Sequence, residues 1–488
     1  MLNSQYGQAT FTRKICDAKS QSIVEIRFSA GEAGEILAVF PQVSLNSCEV
    51  SSGRINYSAR LIVTAVYADG EGKLCRVQKG AEFSHFADGE DFAPAQRALC
   101  NLNCERTQVK KEGSSQIVAV VVGEDISVFG GASRSFCSAI EGAICKTEQA
   151  KTYTAVLFSG ESEVEDDFDC NAQDVLIPSA TANILACTAK AGGVEVSGEI
   201  YLSMLAVRAS SPVALDRIIP FKCEIACEDA VLERQALCRA EVGELSVIAK
   251  VDEQRGTCGV EFSASLRFEG LFFEEEQVSI VTDAFSPDNE VALTYAEETC
   301  APCSEIKNYS ERVSGLCATK SKLDYGCTFL AATLPHAEWT KSDSGIEGSV
   351  GATLVYEQGG EIKATTVTLP ISVPLQCEIN NSVITVAVCG VSIRQRSEGE
   401  CEAEAVLKIS VSERAEKCVR YIADAAEGAQ IVRSTRAISV YLPSAGDGLW
   451  ETAKKLKAPP EDIERANPDL SFPLSGKERI LVYRPKEV

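Results

Sequence analysis

The chain has 488 residues, of which 45% are hydrophobic and 24% are charged, so several folded domains are expected. Its formal net charge of −23 argues against a nucleic-acid-binding protein, because phosphates are bound by lysine and arginine. Only two histidines occur, which leaves few candidates for the base that a nucleophilic triad requires. We therefore expect a non-catalytic protein.

The N-terminal segment and the cysteines indicate the compartment. Residues 1–19 contain no apolar segment of the signal-peptide type, and no run of about 18 apolar residues occurs anywhere. We therefore expect synthesis in the cytoplasm and no membrane span. The 21 cysteines could form a disulfide framework or serve as small buried apolar side chains. Without a signal peptide, we favour reduced thiols.

Three strand-like runs of the chain resemble one another. They end at Tyr67, Ala206 and Tyr356, and their apolar residues alternate as in half-buried strands. A second set of anchors, the Ala-Leu-Cys and Ala-Val-Cys triplets, begins 31, 30 and 31 residues later. These triplets start at Ala98, Ala236 and Ala387. This spacing predicts a mainly β protein with three β-rich repeat domains, each sandwich-like or barrel-like with its own core.

The likeness between segments sets the predicted boundaries. The three units are predicted at residues 22–164, 165–292 and 318–433, with residues 293–317 as a linker. The boundary at 164 depends on the likeness of residues 158–164 to residues 285–291. The third unit is closed by residues 422–425, which resemble residues 281–284.

Residues 434–488 have a different composition from the repeats. The last cysteine is Cys418, and helix-forming residues become frequent. Residues 437–442 and 480–483 have the apolar, β-branched character of strands. The order predicted between residues 434 and 488 is strand, helix, helix, strand.

Capping and helix-starting residues mark the two predicted helices. Asp447 is expected to cap a helix whose apolar residues, including Leu449 and Leu456, follow helical spacing. Pro460 suits the first turn of the second helix. Asn467 and the proline that follows it are expected to end that helix.

The two segments 446–450 and 466–470 resemble the LysM motif. The resemblance implies a groove that binds N-acetylglucosamine polymers, formed between residues 446–449 and 467–474. Its candidate binding residues are Gly446, Asp447, Gly448, Leu449, Trp450, Asn467, Pro468 and Leu470. Gly448 stands where the family has threonine, so one hydroxyl group is missing from the groove. For Trp450 a packing role is the competing interpretation, and for Asp447 a helix cap.

Repeats of this kind followed by a LysM module resemble the SipL-like sporulation family, in which SPOCS-domain repeats precede the module. The resemblance implies a spore-coat scaffold or adaptor in the mother-cell cytoplasm, located at the forespore surface. Its implied partner is a coat ATPase similar to stage IV sporulation protein A, bound through the LysM region. The alternative is a protein that binds peptidoglycan at the cell wall or spore cortex.

Motifs for catalysis or metal binding are weak. His85 and His336 have no repeated Cys or Asp partners in the sequence. One Cys-x-x-Cys pair, Cys300 and Cys303, is too little for a structural zinc site and lacks the βαβ context of a redox site. The acidic run 161–167 lacks the spacing of a calcium loop and is interpreted as a solvated surface. We therefore predict no cofactor and no metal.

Overall fold

A computed structural model gives the structure of most of the chain. It describes residues 2–29, 36–69, 74–170, 172, 174–209, 211–252, 254, 257–300, 303–319, 323, 326–397, 400–414, 417–432 and 438–483. The described elements are mostly strands, and both α-helices lie near the C-terminus. The predicted mainly β class with a C-terminal β-α-α-β module is therefore confirmed.

The strand pairing divides the β-rich part into three units of similar topology, which we call units 1, 2 and 3. Unit 1 contains β1 (Asn3–Phe28), β2 (Ile36–Ser51), β3 (Arg54–Ala68), β4 (Leu74–Asp88), β5 (Arg97–Glu112) and β6 (Ser115–Glu141). Unit 2 contains β7 (Ile144–Asp169), β8 (Asp174–Lys190), β9 (Gly193–Arg208), β10 (Ser211–Ala226), β11 (Arg234–Asp252) and β12 (Thr257–Phe285). Unit 3 contains β13 (Asn289–Cys300), β14 (Cys303–Thr319), β15 (Thr328–Ser342), β16 (Gly345–Gln358), β17 (Glu361–Pro374), β18 (Ser382–Ser397), β19 (Glu400–Arg414) and β20 (Lys417–Gln430).

Each unit has a two-sheet part, which we call its head. In unit 1, sheet β2-β3-β4 packs on sheet β1-β6-β5. Units 2 and 3 have the same strand sets, β8-β9-β10 with β7-β12-β11 and β15-β16-β17 with β14-β19-β18. In these two units a short pairing joins the two sets into a six-stranded sheet, between β8 and β11 in unit 2 and between β14 and β17 in unit 3. Alternate residues such as Val24, Ile26 and Phe28 are buried and their neighbours are exposed, because successive side chains of a strand point to opposite faces. Each head therefore has a core between its two sheets.

The first and last strands of each unit extend beyond the head as an antiparallel pair. These pairs are residues 3–14 with 129–141, 144–155 with 273–285, and 289–300 with 417–430. We call the three pairs together the stem. β6, β12 and β20 contact one another in every combination, so the stem has three sides.

Equivalent residues of the three units meet inside the stem. Phe136, Ile280 and Tyr421 occupy the same register position in their units and share one buried cluster. One residue later, Cys137, Val281 and Ile422 share the next cluster. Contacts between equivalent positions require the three units to surround a common axis. The stem core is therefore shared by all three units.

The heads are joined by polar contacts as well as apolar ones. The buried Arg239 guanidinium of unit 2 donates to Asn101 Oδ1 of unit 1 at 3.2 Å and forms ion pairs with Glu241 and Glu269, both at 3.1 Å. Lys341 of unit 3 forms an ion pair with Asp125 of unit 1 at 2.9 Å. Because these groups are largely buried, their pairing fixes how the heads meet.

The pairing corrects the sequence-derived boundaries. Residues 158–164 lie in β7, the first strand of unit 2, whereas residues 285–291 begin at the end of β12, so the two segments are not equivalent. Residues 293–317, the predicted linker, lie in β13 and β14 except at the two positions 301–302 outside the described residues. Each first strand pairs with the last strand of its own unit, far away in sequence, and a local pattern cannot reveal that partner.

One repeat anchor is also corrected. Ala98 pairs with Val128 and Ala236 with Phe272, at equivalent places in units 1 and 2. In unit 3 the corresponding residue is Ser382, which pairs with Glu413, and not Ala387. By contrast, residues 281–284 and 422–425 are equivalent in the stem.

Candidate functional site

The predicted site lies in a small C-terminal module of two strands and two helices. Its elements are β21 (Ile438–Tyr441), α1 (Leu449–Leu456), α2 (Pro460–Ala466) and β22 (Ile480–Tyr483). The four predicted elements are thus present, in the predicted order. The strands pair antiparallel, and apolar residues of both helices pack against them in one core.

Backbone geometry defines both helices. α1 follows Gly448 and ends at Lys457, which has a left-handed φ of 52°. α2 begins with Pro460, whose fixed φ suits the first helical position. Asp447 does not cap α1: Gly448 is the N-cap residue, and no side chain bonds to the free amides of the first turn.

The Asp447 carboxylate has other partners. It accepts a hydrogen bond from Ser444 N at 3.0 Å and forms an ion pair with Lys455 Nζ at 2.8 Å. The bond from Lys455, followed by that from Ser444, lowers the pKa of Asp447. This residue therefore closes the turn before α1.

The two loops of the predicted groove are bonded to each other. Gly446 N donates to Leu474 O at 2.8 Å, and Leu474 N donates to Asp447 O at 2.9 Å. Gly446 has a φ of +92°, a conformation that favours glycine. The loops lie side by side as expected, but several of their backbone groups are already satisfied by one another.

Asn467 has a structural role in the module. Its amide nitrogen donates to Ile463 O and Leu481 O, both at 2.8 Å, and Leu481 N donates to its amide oxygen at 2.7 Å. These bonds join the end of α2 to β22. Leu470 packs on the module core, whereas Pro468 is exposed.

Trp450 contacts unit 2. Its Nε1 donates to Asp283 Oδ2 at 2.9 Å, and its ring meets the buried Phe285 ring edge-on, with centroids 5.3 Å apart. Lys454 Nζ, one turn further along α1, forms an ion pair with Asp283 at 2.7 Å. We call these contacts between α1 and the end of β12 the tip contact. The packing interpretation of Trp450 therefore agrees with its position.

The electrostatics of the tip contact favour a charged Asp283. Its partial burial alone would raise the pKa, but the hydrogen bonds from Lys454 and Trp450 outweigh that effect and lower it. Lys457 adds a weaker ion pair with Glu290 at 3.3 Å. In the sequence, residues 281–284 mark a repeat, and nothing local to them signals a bond to Trp450.

The two histidines occupy structural positions. His336 is buried beside Phe40, and burial lowers its pKa. His85 Nδ1 lies 3.0 Å from the Tyr57 hydroxyl and 3.7 Å from the buried carboxylate of Glu124. That carboxylate accepts hydrogen bonds from Ser20 and Ser22. The serines thus bond to the carboxylate and not to the imidazole, unlike the order of a catalytic triad.

Within the described ranges, no group of three or more His, Cys, Asp or Glu side chains is placed to hold a metal ion. The side chains of Cys300 and Cys303 lie outside the described residues. Neither α1 nor α2, the helices of the described chain, is long and apolar enough to cross a membrane.

No family model, no curated protein and no solved structure matches the chain.

Proposed function

We propose that the chain is a non-catalytic scaffold of the spore envelope that binds a coat ATPase through its C-terminal module. The partner would be similar to stage IV sporulation protein A and would be met in the mother-cell cytoplasm, at the forespore surface. The proposal combines the resemblance of the repeats and module to the SipL-like family with one feature of the module surface.

That feature is an apolar outer face on the two-stranded sheet of the module. Ile438, Val440, Leu442 and Leu481 are between 47% and 70% exposed. Val440 lies directly opposite Leu481 in the strand register, so their side chains form one surface. Clustered exposed aliphatic side chains are typical of protein-binding surfaces. We assign this outer face to the partner, since α1 is occupied by the tip contact.

The alternative is peptidoglycan binding in the groove between the two loops. The adjacency of residues 446–449 and 467–474 favours it. Two observations count against it: the loops bond to each other through Gly446, Asp447 and Leu474, and the Asn467 amide is used within the module. The missing threonine hydroxyl at Gly448 reduces the donors and acceptors further.

A pull-down of the ATPase with the full chain tests the proposal. Val440→Asp places a charge on the outer face, where it would be desolvated by a partner, and should reduce recovery at least tenfold. Ile218→Asp is the matched control, because Ile218 is a 51% exposed aliphatic residue of unit 2. Deletion of residues 434–488 should abolish recovery. Equal recovery with this deletion would rule out docking through the module.

Sedimentation with purified wall glycan separates the two functions. The proposal expects the full chain and the 434–488 deletion to sediment equally. Saturable binding of the full chain that is lost on deletion, together with an unaffected Val440→Asp variant, would establish the alternative instead.

A further inference from the structure

Two cysteine pairs occupy equivalent places in units 1 and 2. Cys48 of β2 lies opposite Tyr57, and Cys187 of β8 lies at the equivalent position opposite Val196. Their counterparts on the next sheet, Cys100 of β5 and Cys238 of β11, occupy equivalent positions of the strands that pair with β6 and β12. The two pairs therefore reflect one feature of the repeat.

The pair of unit 1 joins the two sheets of its head, and the pair of unit 2 joins β8 and β11, which are neighbours in a six-stranded sheet. Cys48 and Cys100 belong to one core cluster of unit 1, and Cys187 and Cys238 belong to the main core cluster of unit 2. β2 contacts β5 and β8 contacts β11, which brings the strands that carry each pair together. Cys100, Cys187 and Cys238 are at most 4% exposed. In unit 1 the pair links the edge strands β2 and β5, and in unit 2 it links β8 and β11, whose backbone pairing covers only residues 188–189 and 234–235.

The third unit lacks the pair. Its corresponding residues are Lys341, opposite Ile346, and Ile384, opposite Val411. Lys341 instead forms the ion pair with Asp125 that joins unit 3 to unit 1. The cysteines are therefore not required by the fold of a head, because a head forms without them.

The environment of the thiols determines when they could react. The hydrogen bond that the Cys100 thiol donates to Cys48, followed by burial, raises the pKa of Cys100, and burial and the contact with Cys187 raise that of Cys238. Since the thiolate is the nucleophile in disulfide exchange, the raised pKa values of Cys100 and Cys238 disfavour exchange in the completed core. Exchange must take place while the two sheets of a head are still coming together.

We propose that Cys48–Cys100 and Cys187–Cys238 are sites of disulfide formation that clamp β2 to β5 in unit 1 and β8 to β11 in unit 2. The oxidant is a low-molecular-weight disulfide such as oxidised glutathione. For each pair, one thiolate attacks the oxidant and releases one reduced glutathione. The second thiolate then displaces a second reduced glutathione from the mixed disulfide, so two thiols are oxidised and one small disulfide is reduced.

Refolding of the full chain tests the proposal. The reduced, denatured chain is refolded with oxidised and reduced glutathione, alkylated and digested, and the linked peptides are identified by mass spectrometry. Both predicted pairs should be found. Each bond closes a loop of about fifty residues, so the melting temperature should exceed that of the reduced chain by about 5 °C.

Variants identify which disulfide raises the melting temperature. Cys48→Val and Cys187→Val should each remove one linked peptide and part of the increase. Cys223→Val is the matched control, since Cys223 is a buried thiol of the same unit 2 core, and it should leave both bonds intact. Recovery of the four cysteines of the wild-type chain as free thiols, or in other pairings, would overturn the proposal. The peptide map of the wild-type chain does not depend on whether a variant folds.

Discussion

At the scale of single residues, Asp283 determines where the module lies. It accepts hydrogen bonds from Trp450 and Lys454, and no equivalent residue of the other units is used in this way. The equivalent of Asp283 in unit 3 is Asp424, which accepts a hydrogen bond from Tyr6 at 2.7 Å. In unit 1 it is Ala139. The module therefore packs on unit 2 because of one carboxylate and the adjacent Phe285.

Asp283→Asn should weaken the tip contact by about 1–2 kcal/mol. The substitution removes the negative charge of the carboxylate to which both Lys454 and Trp450 donate. The chain has only two tryptophans, so Trp450 fluorescence can be followed alone in a Trp339→Phe background. The emission should shift toward that of exposed tryptophan. Asp424→Asn is the control with the same chemistry at an equivalent place, and it should leave the emission unchanged.

The same contact should depend on pH. Because the folded pKa of Asp283 is lowered, its contribution is complete above the ordinary aspartate range. It is lost as the pH falls through the lowered value. Trp450 emission should therefore change at a pH below about 4. An identical titration of Asp283→Asn would show that another group is responsible.

Gly448→Thr should stabilise the module by about 0.5 kcal/mol. Gly448 has an extended conformation, with φ −81° and ψ 173°, and Glu451 lies three residues later, as in a capping box. A new Cβ would meet only the flexible Glu451 carboxylate. Denaturant unfolding followed by Trp450 emission measures the gain. Gly476→Thr should instead destabilise, because Gly476 has a φ of +82° and faces the Ala445 backbone.

At the scale of elements, the module was predictable and the unit boundaries were not. Proline, glycine and aliphatic spacing act within about four residues, so α1, α2, β21 and β22 could be located from sequence. The stem pairs join residues more than a hundred positions apart, such as Asn3 and Glu141. In addition, β6 ends at Glu141 and β7 begins at Ile144, so no linker composition marks the boundary.

The loops of the predicted groove were likewise only partly predictable from the sequence. Sequence places Gly446 and Asn467 in turns, and both are there. Sequence does not show that the two loops are bonded to each other, or that the Asn467 amide reaches β22. These contacts depend on tertiary packing.

Asn467→Ala should destabilise the module by about 2–3 kcal/mol, because it removes three hydrogen bonds, two of which join the end of α2 to β22. Hydrogen exchange of the amides of β22 measures the loss. Asp469→Ala is the control, since Asp469 is an exposed neighbour on the same turn. Protection equal to that of the unmodified chain would mean that Asn467 does not hold the strand.

At the scale of the whole molecule, the shared stem core should make the three units unfold together. Phe136→Ala should cost about 3–4 kcal/mol, because it opens a cavity beside Ile280 and Tyr421. Hydrogen exchange should therefore accelerate in β12 and β20 as well as in β6. Phe86→Ala, at a 43% exposed position in unit 1, is the control. Acceleration confined to β6 would show that the units are energetically independent.

The chain has three units around one axis but a single C-terminal module, which packs on unit 2 and forms one ion pair with unit 3. A protein with three copies of a body and one copy of an attachment element is monovalent for whatever that element binds. Under the proposed function, one chain would bind one partner molecule through this element and would not crosslink two of them. Under that function, lateral growth of the coat would depend on the partner or on the sides of the heads.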